Sequence, residues 1–573
     1  MPIRDAMPLR NTMSLRNELL VGLTGPDGYF PIQVEKVRGF DVPVLANRRK
    51  SLREFVEGCR SHGDREFLVL EDRRITHGQF VDLVAAEAAA LSADHGIAKG
   101  DRVGILAANS PDWVIAYFAL VSAGAVVALY NGWWTPDEIA HATELTAPKL
   151  ILGDEKRLAR VPESASVPLI DIDAERQRLQ RDVGAHPLPT LELAEDDPVS
   201  IFFTSGTTGR SKGATATHRG LVGFVEIQML NGAVRMMQAA AEAQGAGQPA
   251  PEPRIDPPIV MMTSPLFHVS GLSGSTLINM VAGGTLIFRT GRFDPAAGLR
   301  LVEKERITVW SLIGSMGPRV LDEAAKGLTD TSSLTNVGFG GAPVSPDLAQ
   351  RVRDTLPTAA DNVGIGYGSS ETVGVVASHS GADMRARPEA AGWVLPTMQV
   401  EIRDDAGTVL ADGENGHIMV RSAYTMLGYW NDDQATAETI DNDFWLDTGD
   451  IGRLEDGILT IDSRARDMIL HNGENVYPIE VEYRIEDHPG VGEVAVYGLE
   501  DDLTGQIVAA SVVPMTGVEL TAQELQAWVA NSLAPYKVPT FWDIRSERLP
   551  RNAAGKVVKD ALSGQREFTA HED

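Results

Sequence analysis

The chain has 573 residues, of which 43% are hydrophobic, and it carries a formal net charge of −28. This length is enough for several folding units, each with its own hydrophobic core. The acidic balance argues against nonspecific binding to DNA or RNA, because nucleic-acid phosphates attract Lys and Arg. We therefore expect no nucleic-acid partner.

Cysteine content and hydropathy indicate the cellular compartment of the chain. The single cysteine, Cys59, cannot form an internal disulfide and is predicted to be a small buried hydrophobe. No run of about 18 apolar residues occurs, so no membrane-spanning segment is predicted. These features favour a cytoplasmic protein. Residues 1–46 are predicted to be an N-terminal lead-in with a frayed terminus.

The first predicted elements alternate between helices and strands. Residues 51–93 are typical of a helix, a short strand pair and a second helix, and residues 101–107 form a short apolar run bounded by turn residues. Residues 113–124 fit a packed helix, and residues 125–129 fit another strand. The alternation continues as far as residues 336–340. Such a pattern predicts βαβ units and largely parallel sheets.

The remaining segments indicate an insertion and a second domain. Residues 239–258 are rich in Ala, Gln, Gly and Pro, which predicts an exposed loop. Residues 400–461 have the character of a small β region, and after a charged stretch at 463–467 the pattern restarts. We therefore predict an α/β protein with a large N-terminal domain of layered βαβ sheets plus a small β region, 47–462. A smaller α+β C-terminal domain would span 463–573.

The most informative segment follows the apolar strand at residues 199–203. From Thr204 to Gly213 every residue except Arg210 and Lys212 is Gly, Ser or Thr. Small residues allow close backbone approach, and their N–H groups can point at phosphate oxygens, while Lys212 adds a mobile positive charge. The spacing is not that of a Walker loop. We predict a phosphate-binding loop that comprises Thr204, Ser205, Gly206, Thr207, Thr208, Gly209 and Lys212.

This loop resembles the Thr-Ser-Gly-Thr-Thr-Gly-x-Pro-Lys-Gly pattern of the adenylate-forming superfamily, with Ser211 at the usual Pro position. That superfamily contains acyl-CoA synthetases, luciferase-type enzymes and the adenylation domains of peptide synthetases. Residues 364–372 are similar to its Tyr-Gly-x-Thr-Glu segment and 445–450 to its Thr-Gly-Asp motif. Residues 549–557 are similar to its Pro-Arg-x-x-x-Gly-Lys motif. The resemblance covers nearly the whole chain after the first forty or so residues.

The resemblance implies a role for each matching residue. Tyr367 would stack on adenine and Asp450 would bind the ribose hydroxyls of ATP. Glu371 would hold Mg²⁺, and Lys556 would sit between the attacking carboxylate and the α-phosphate, where two anions meet. The implied catalytic set is Thr204, Glu371 and Lys556. Further nucleotide contacts would come from Gly341, Ala342, Gly368, Ser370 and Arg464.

Two departures from the motifs bear on the acid and on its acceptor. At His268 the peptide-synthetase domains carry an Asp that pairs with an amino group, so we expect the chain to reject amino acids. Residues 470–478 resemble the Gly-Gly-Glu-Asn-Ile-Tyr-Pro of acyl-CoA synthetases, where glycine lines the pantetheine tunnel. Gly473 is kept there, and Asn472 replaces the first Gly.

The resemblance therefore implies an acyl-CoA synthetase that uses ATP, Mg²⁺ and coenzyme A on a hydrophobic fatty or ring-containing acid. The acid would bind near His268, Gly314 and Gly340. An acyl-AMP ligase that delivers the acid to a carrier protein is the first alternative, and an inactive nucleotide-binding protein is the second. The sequence leaves a homodimer open and does not choose between an aliphatic and a ring-bearing acid.

Overall fold

The computed structural model describes most of the chain. The described residues are 9–179, 183–184, 186–204, 210–245, 247, 256–312, 316–340, 346–464, 467–471, 474–501, 504–552 and 556–564.

The chain begins with an N-terminal section and the first layer of α/β structure. Its elements are α1 (Leu9–Thr24), β1 (Ile32–Val37), β2 (Phe40–Leu45), α2 (Leu52–Gly58), β3 (Glu66–Leu70), β4 (Arg73–Thr76), α3 (His77–Asp94), β5 (Arg102–Leu106), α4 (Pro111–Ser122), β6 (Val126–Leu129), α5 (Pro136–Thr146), β7 (Leu150–Gly153), α6 (Glu155–Leu158), β8 (Leu169–Asp171) and α7 (Ile172–Leu179).

The central part of the chain carries the longest helix and the largest sheet. Its elements are β9 (Pro198–Thr204), β10 (Lys212–Thr217), α8 (His218–Gly245), β11 (Ile259–Met261), a π-helix (Ser270–Leu277), α9 (Ile278–Val281), β12 (Thr285–Phe288), α10 (Pro295–Glu305), β13 (Val309–Ser311), α11 (Met316–Ala324), β14 (Asn336–Gly340), α12 (Pro346–Thr355), β15 (Val363–Ser369), β16 (Gly374–Ser380), α13 (Gly381–Ala386), β17 (Ala390–Val394), β18 (Gln399–Arg403), β19 (Asn415–Arg421), α14 (Asp433–Thr439), β20 (Leu446–Glu455) and β21 (Ile458–Arg464).

The C-terminal part forms a separate sheet with its own helices. Its elements are β22 (Ile469–His471), β23 (Glu474–Val476), α15 (Pro478–Glu486), β24 (Val491–Asp501), β25 (Gly505–Pro514), α16 (Ala522–Ala530), β26 (Phe541–Ile544) and α17 (Lys559–Leu562). Buried aliphatic side chains such as Val481, Ile485, Val496 and Val508 form a core for this part.

Three sheets dominate the architecture. One has the strand order β10-β9-β6-β5-β7-β8 and is parallel except for the β10–β9 pair. The second runs from β18 to β4 through the parallel strands β15, β14, β13, β11 and β12. The third is the C-terminal sheet. The predicted α/β class, with a large sheet-rich part followed by a smaller one, is therefore confirmed.

Helix α4 explains how the first layer packs. Ser110 caps it by accepting a hydrogen bond from the Trp113 N–H, and Pro111 occupies its first turn, where no intrahelical N–H is needed. All of its side chains are buried, so the helix lies inside the layers and not on the surface. This agrees with the prediction of a packed helix that is apolar on most faces.

The prediction of a frayed N-terminus is wrong for the helix that begins at Leu9. Helix α1 packs on α8, and Arg16 is buried between them. Its guanidinium donates to Asn231 at 3.2 Å and lies over the Trp393 ring. The predicted loop at 239–258 is wrong in its first part, because α8 continues to Gly245. Ala and Gln, which dominate that stretch, are strong helix formers.

Within the described part of the chain, no helix combines the length and the apolar character needed to cross a bilayer.

Candidate adenylation site

The two ends of the predicted phosphate loop lie side by side. Buried β9 ends at Thr204, and β10 begins at Lys212, which is the antiparallel register partner of Thr204. Both residues line the same large cavity. The loop residues Ser205, Gly206, Thr207, Thr208 and Gly209 lie outside the described residues.

Tyr429 links this loop to the predicted metal ligand. The Lys212 ammonium lies 5.1 Å from the centroid of the Tyr429 ring, in cation–π geometry, and the Tyr429 hydroxyl donates to Glu371 Oε1 at 2.9 Å. Burial and the Glu371 carboxylate raise the pKa of the Tyr429 phenol, so it remains a donor. Sequence reasoning missed Tyr429, whose only local signal is a Gly-Tyr-Trp run.

The turn that carries Glu371 is held by hydrogen bonds on both sides. Thr372 Oγ1 donates to the Gly374 carbonyl at 2.7 Å, and the Met426 N–H donates to the Glu371 carbonyl at 2.8 Å. Gly374 has a φ of +143°, and a Cβ there would lie 2.3 Å from the Phe224 ring, so this position requires glycine. The backbone thereby fixes Glu371 at the cavity edge.

The chemistry of Glu371 fits a magnesium ion that is shared with phosphates. Its carboxylate lines the cavity, and carboxylate oxygens suit hard cations. Among the described residues there is no cluster of three or more His, Cys, Asp or Glu that would cage a metal alone. A single carboxylate matches Mg²⁺ sites in which substrate phosphates supply further ligands.

The predicted adenine and ribose contacts are neighbours. The Tyr367 hydroxyl, on β15, donates to Asp450 Oδ2, on β20, at 2.7 Å. The Asp450 backbone is held by a 3.2 Å hydrogen bond from its N–H to Thr448 Oγ1. Arg464 on β21 is the register partner of Asp450, so the backbone brings these two predicted ribose contacts together.

His268 and Lys556 line the same cavity although they come from different parts of the chain. His268 precedes the π-helix, and its Nε2 is buried without a hydrogen-bond partner among the described residues. Burial and the nearby positive charge of Lys556 lower the pKa of His268 to about 4. The imidazole is therefore neutral near pH 7, and this neutral ring lies within electrostatic reach of the Lys556 ammonium.

Two hydrogen bonds to Asn552 hold the Lys556 backbone. The Lys556 N–H donates to Asn552 Oδ1 at 3.0 Å, and its carbonyl accepts from the Asn552 N–H at 2.8 Å. Arg551, which pairs with Val557 in a β-bridge, donates to Glu493 at 2.9 Å and so links this part of the chain to β24.

One cavity of about 2030 Å³ joins the predicted residues. It is lined by Thr204, Lys212, His268, Tyr367, Gly368, Ser370, Glu371, Asp450 and Lys556. Gly340 ends β14 beside Gly366 of β15. The predicted residues Gly314, Gly341, Ala342 and Gly473 lie outside the described residues. The roles proposed for the described residues stay predictions, but their convergence gives these roles a common location.

A slot floored by glycine opens from this cavity between the large sheet and α8. The register places Ser311, Gly338, Gly364 and Ser380 in one row across β13 to β16, with Gly340, Gly366 and Ser378 in the next. A Cβ on Gly364 would lie 3.2 Å from the Ser380 Cβ, and one on Gly366 3.1 Å from Val375. Trp310, near Ser311 on β13, is fully buried in the core and does not line the slot.

Comparisons with known proteins find relatives that match most of the chain. The AMP-binding enzyme family model covers residues 55–430, and the AMP-binding enzyme C-terminal domain covers 480–556. A feruloyl-CoA synthase from Amycolatopsis sp is 32% identical over 465 residues, which is 81% of this chain and 88% of that protein.

A second relative acts on a named bicyclic acid. The 3-[(3aS,4S,7aS)-7a-methyl-1,5-dioxo-octahydro-1H-inden-4-yl]propanoyl:CoA ligase from Mycobacterium tuberculosis is 33% identical over 520 residues, which is 87% of this chain and 95% of that protein.

A solved structure agrees over nearly its whole length. The o-succinylbenzoate CoA synthetase from Bacillus subtilis, in complex with its acyl-adenylate intermediate, superimposes with a TM-score of 0.73 at 26% identity, covering 91% of this chain and 100% of that one. The family match spans most of the chain and the named relatives are CoA ligases. This chain therefore belongs to the AMP-binding enzyme family and is an AMP-forming acid–thiol ligase of the acyl-CoA synthetase type.

Proposed function

We propose that this ligase activates a hydrophobic, ring-bearing carboxylic acid and transfers it to coenzyme A. The observation that carries the proposal is that Lys556, His268 and the glycines of the slot floor line one cavity. The slot leaves space for a ring because its floor has no side chains at Gly338 and Gly364. The named relatives, a feruloyl-CoA synthase and a bicyclic propanoyl:CoA ligase, support a ring-bearing acid.

In the first half-reaction a carboxylate oxygen of the acid attacks the α-phosphorus of ATP. The bond from this phosphorus to the pyrophosphate oxygen breaks, which leaves an acyl-adenylate. In this proposal the charge of Lys556 stabilises the two anions as they approach. His268, being neutral, adds no charge of its own and can share a hydrogen bond with the acid.

The chain's other residues bind and orient the nucleotide in this proposal. Thr204 and Lys212 hold the phosphates, Tyr367 and Asp450 hold the nucleoside, and Glu371 would hold Mg²⁺ with Tyr429 fixing its carboxylate. When bound, the ion neutralises phosphate charge and so favours departure of pyrophosphate.

In the second half-reaction the thiol sulfur of coenzyme A attacks the acyl carbon. The carbon–oxygen bond to AMP breaks, AMP leaves, and the thiol proton passes to solvent. We propose that the C-terminal domain, 463–573, turns about Arg466 between the two steps, which withdraws Lys556 and brings Gly473 to the acceptor tunnel.

The proposal is tested with a panel of acids assayed for CoA-dependent release of AMP. The panel contains short and long aliphatic acids, cinnamic acids, bicyclic propanoic acids and amino acids. We expect ring-bearing acids to give the highest kcat/KM and amino acids to give no signal, because His268 replaces a carboxylate partner. A preference for long aliphatic acids would contradict the ring-bearing assignment. Transfer of the acyl group to a carrier protein but not to CoA would contradict CoA as the acceptor.

A further inference from the structure

The glycine-floored slot has a polar end that neither the proposed mechanism nor the family resemblance uses. The turn with Ser370 and Glu371 follows the carboxyl end of β15, so the reaction centre lies at that edge of the sheet. Moving back along β15 from Gly366 to Gly364 leads away from that centre. The row reached in this direction contains Ser311 and Ser380, which place two hydroxyl groups on the slot floor.

Helix α8 covers the slot with one face along its length. Phe224, Gln228, Asn231 and Arg235 follow the spacing of residues on a single helix face. Phe224 packs on Gly374 beside the Glu371 turn, and Asn231 donates to Ser378 at 3.1 Å. Arg235 lies eleven residues beyond Phe224, which is about 16 Å along the helix axis. It therefore marks the end of the slot that is remote from the reaction centre.

Arg235 retains free donors at this position. Its Nη1 donates to Ser380 Oγ at 2.8 Å, and no other hydrogen bond or salt bridge of Arg235 occurs among the described residues. A guanidinium carries five N–H donors and no acceptor. The side chain is accessible and lines the cavity, yet burial lowers its pKa, an effect that Asp383 partly offsets. Its exposed guanidinium is therefore open to a ligand in the cavity.

We infer that Arg235, oriented by Ser380, binds a carbonyl oxygen on the ring system of the acid, at the end remote from its carboxylate. This inference rests on the proposed function and narrows it to keto acids with rings. A guanidinium can only donate, so it complements a ketone and gains nothing from an unsubstituted hydrocarbon end. The Mycobacterium tuberculosis relative is named for a dioxo bicyclic acid, which has this chemistry.

The test compares two acids and a set of variants. The acids are the 7a-methyl-1,5-dioxo-octahydroindenyl propanoic acid and the same bicyclic acid without ring ketones. For the unmodified enzyme we expect kcat/KM of CoA-dependent AMP release to favour the keto acid by about 10- to 100-fold, the range for hydrogen bonds to a charged group. Arg235→Met should remove this preference while it leaves the ketone-free acid within about twofold.

Further variants separate recognition from folding. Ser380→Ala should weaken the preference in the same direction but less, because Arg235 keeps its charge and loses only its orientation. Met236→Leu, on the exposed side of α8, is the matched control and should preserve the preference. Melting temperatures show whether each variant is folded. If Arg235→Met does not fold, the preference of the unmodified enzyme and its change in Ser380→Ala decide the matter.

The outcomes distinguish this inference from the proposed function. If neither bicyclic acid supports AMP release but cinnamic acids do, the inference is wrong and the proposed function stands; if no ring-bearing acid supports it, the proposed function fails. If the unmodified enzyme uses both acids equally well, the proposed function stands and the inference is wrong. An equal loss for both acids in folded Arg235→Met would also overturn it, because that result would make Arg235 a structural tie between α8 and β16.

Discussion

At the scale of single residues, Tyr429 explains how the site holds two opposite charges apart and in place. Its ring lies under the Lys212 ammonium while its hydroxyl donates to the Glu371 carboxylate. The two residues of opposite charge are thereby positioned by one neutral side chain. This leaves both available to a phosphate and its cation, whereas a direct ion pair would occupy them.

Replacing Glu371 tests its proposed role toward Mg²⁺. In Glu371→Gln the neutral amide removes the charge that attracts the ion, so the Mg²⁺ concentration for half-maximal adenylation should rise about tenfold or more. Acid-dependent pyrophosphate exchange, titrated with Mg²⁺, measures this. Glu438→Gln, in the same cavity, is the matched control. Superimposable titrations of Glu371→Gln and the unmodified enzyme would show that Glu371 is not the ligand.

Removing the Tyr429 hydroxyl should have a smaller effect of the same kind. Tyr429→Phe keeps the ring over Lys212 but releases Glu371, so the Mg²⁺ requirement should rise about threefold to tenfold. Binding of Mn²⁺ in the presence of a non-hydrolysable ATP analogue, followed by electron paramagnetic resonance, should weaken in parallel. If metal binding is unchanged while the melting temperature falls, the hydroxyl serves stability alone.

At the scale of elements, the N-terminal hairpin braces the loop that carries Tyr429. Arg38 lies in the turn between β1 and β2, and its guanidinium donates to the Met426 carbonyl at 2.9 Å and to the Thr425 carbonyl at 3.1 Å. It also lies over the Phe444 ring. Burial lowers the pKa of Arg38 to about 10, which still leaves it charged at neutral pH.

Substituting Arg38 tests this brace. Arg38→Met should lower the free energy of unfolding by about 1–3 kcal/mol, because two carbonyl groups lose a charged donor. It should also raise the KM for ATP, since the loop at 425–430 loses its support. Urea unfolding and steady-state kinetics measure the two effects, with the exposed Lys36→Ala as control. Unchanged stability and an unchanged KM together would mean that the hairpin does not support this loop.

Alternating patterns made the βαβ layers and packed α4 predictable, because periodicity and turn residues act over short distances. Motif order likewise predicted roles for Glu371, Asp450 and Lys556, which line one cavity. Tyr429 and Arg38 were not predictable in this way. Their partners are 58 and 388 residues distant in sequence, and no local pattern reports a tertiary contact. The frayed N-terminus was predicted wrongly for a similar reason, since α1 is fixed by its contacts with α8.

At the scale of the whole molecule, the active site draws on two parts of the chain. The sheets before residue 462 carry the residues proposed to bind the nucleotide and the acid, and the segment before α17 carries Lys556. This division explains how one chain could run two reactions at one site. Movement of the C-terminal part would exchange the lysine needed for adenylation for the surface that admits the thiol.

The proposed domain boundary can be located by proteolysis. Arg464 and Arg466 come directly after the predicted junction between residues 462 and 463, so brief trypsin treatment of the native protein should cut there first. Mass spectrometry should then find a large fragment that begins at Met1 and a small one that begins after Arg464 or Arg466. ATP with a ring-bearing acid should slow this cut, because both parts contact the ligands. A first cut far from 463–467 would place the boundary elsewhere.

The most direct test of the whole account measures both half-reactions of Lys556→Ala. Acyl-AMP formation should fall roughly 10²- to 10³-fold, the scale of losing one donor to the transition state. Thioester formation from synthetic acyl-AMP and coenzyme A should stay close to that of the unmodified enzyme. The matched control is Lys559→Ala, which removes a lysine three residues after Lys556. Lys559 pairs with Glu482, and its loss should change neither step. An equal loss in both half-reactions, or no loss in either, would contradict a site in which Lys556 acts in adenylation and then withdraws.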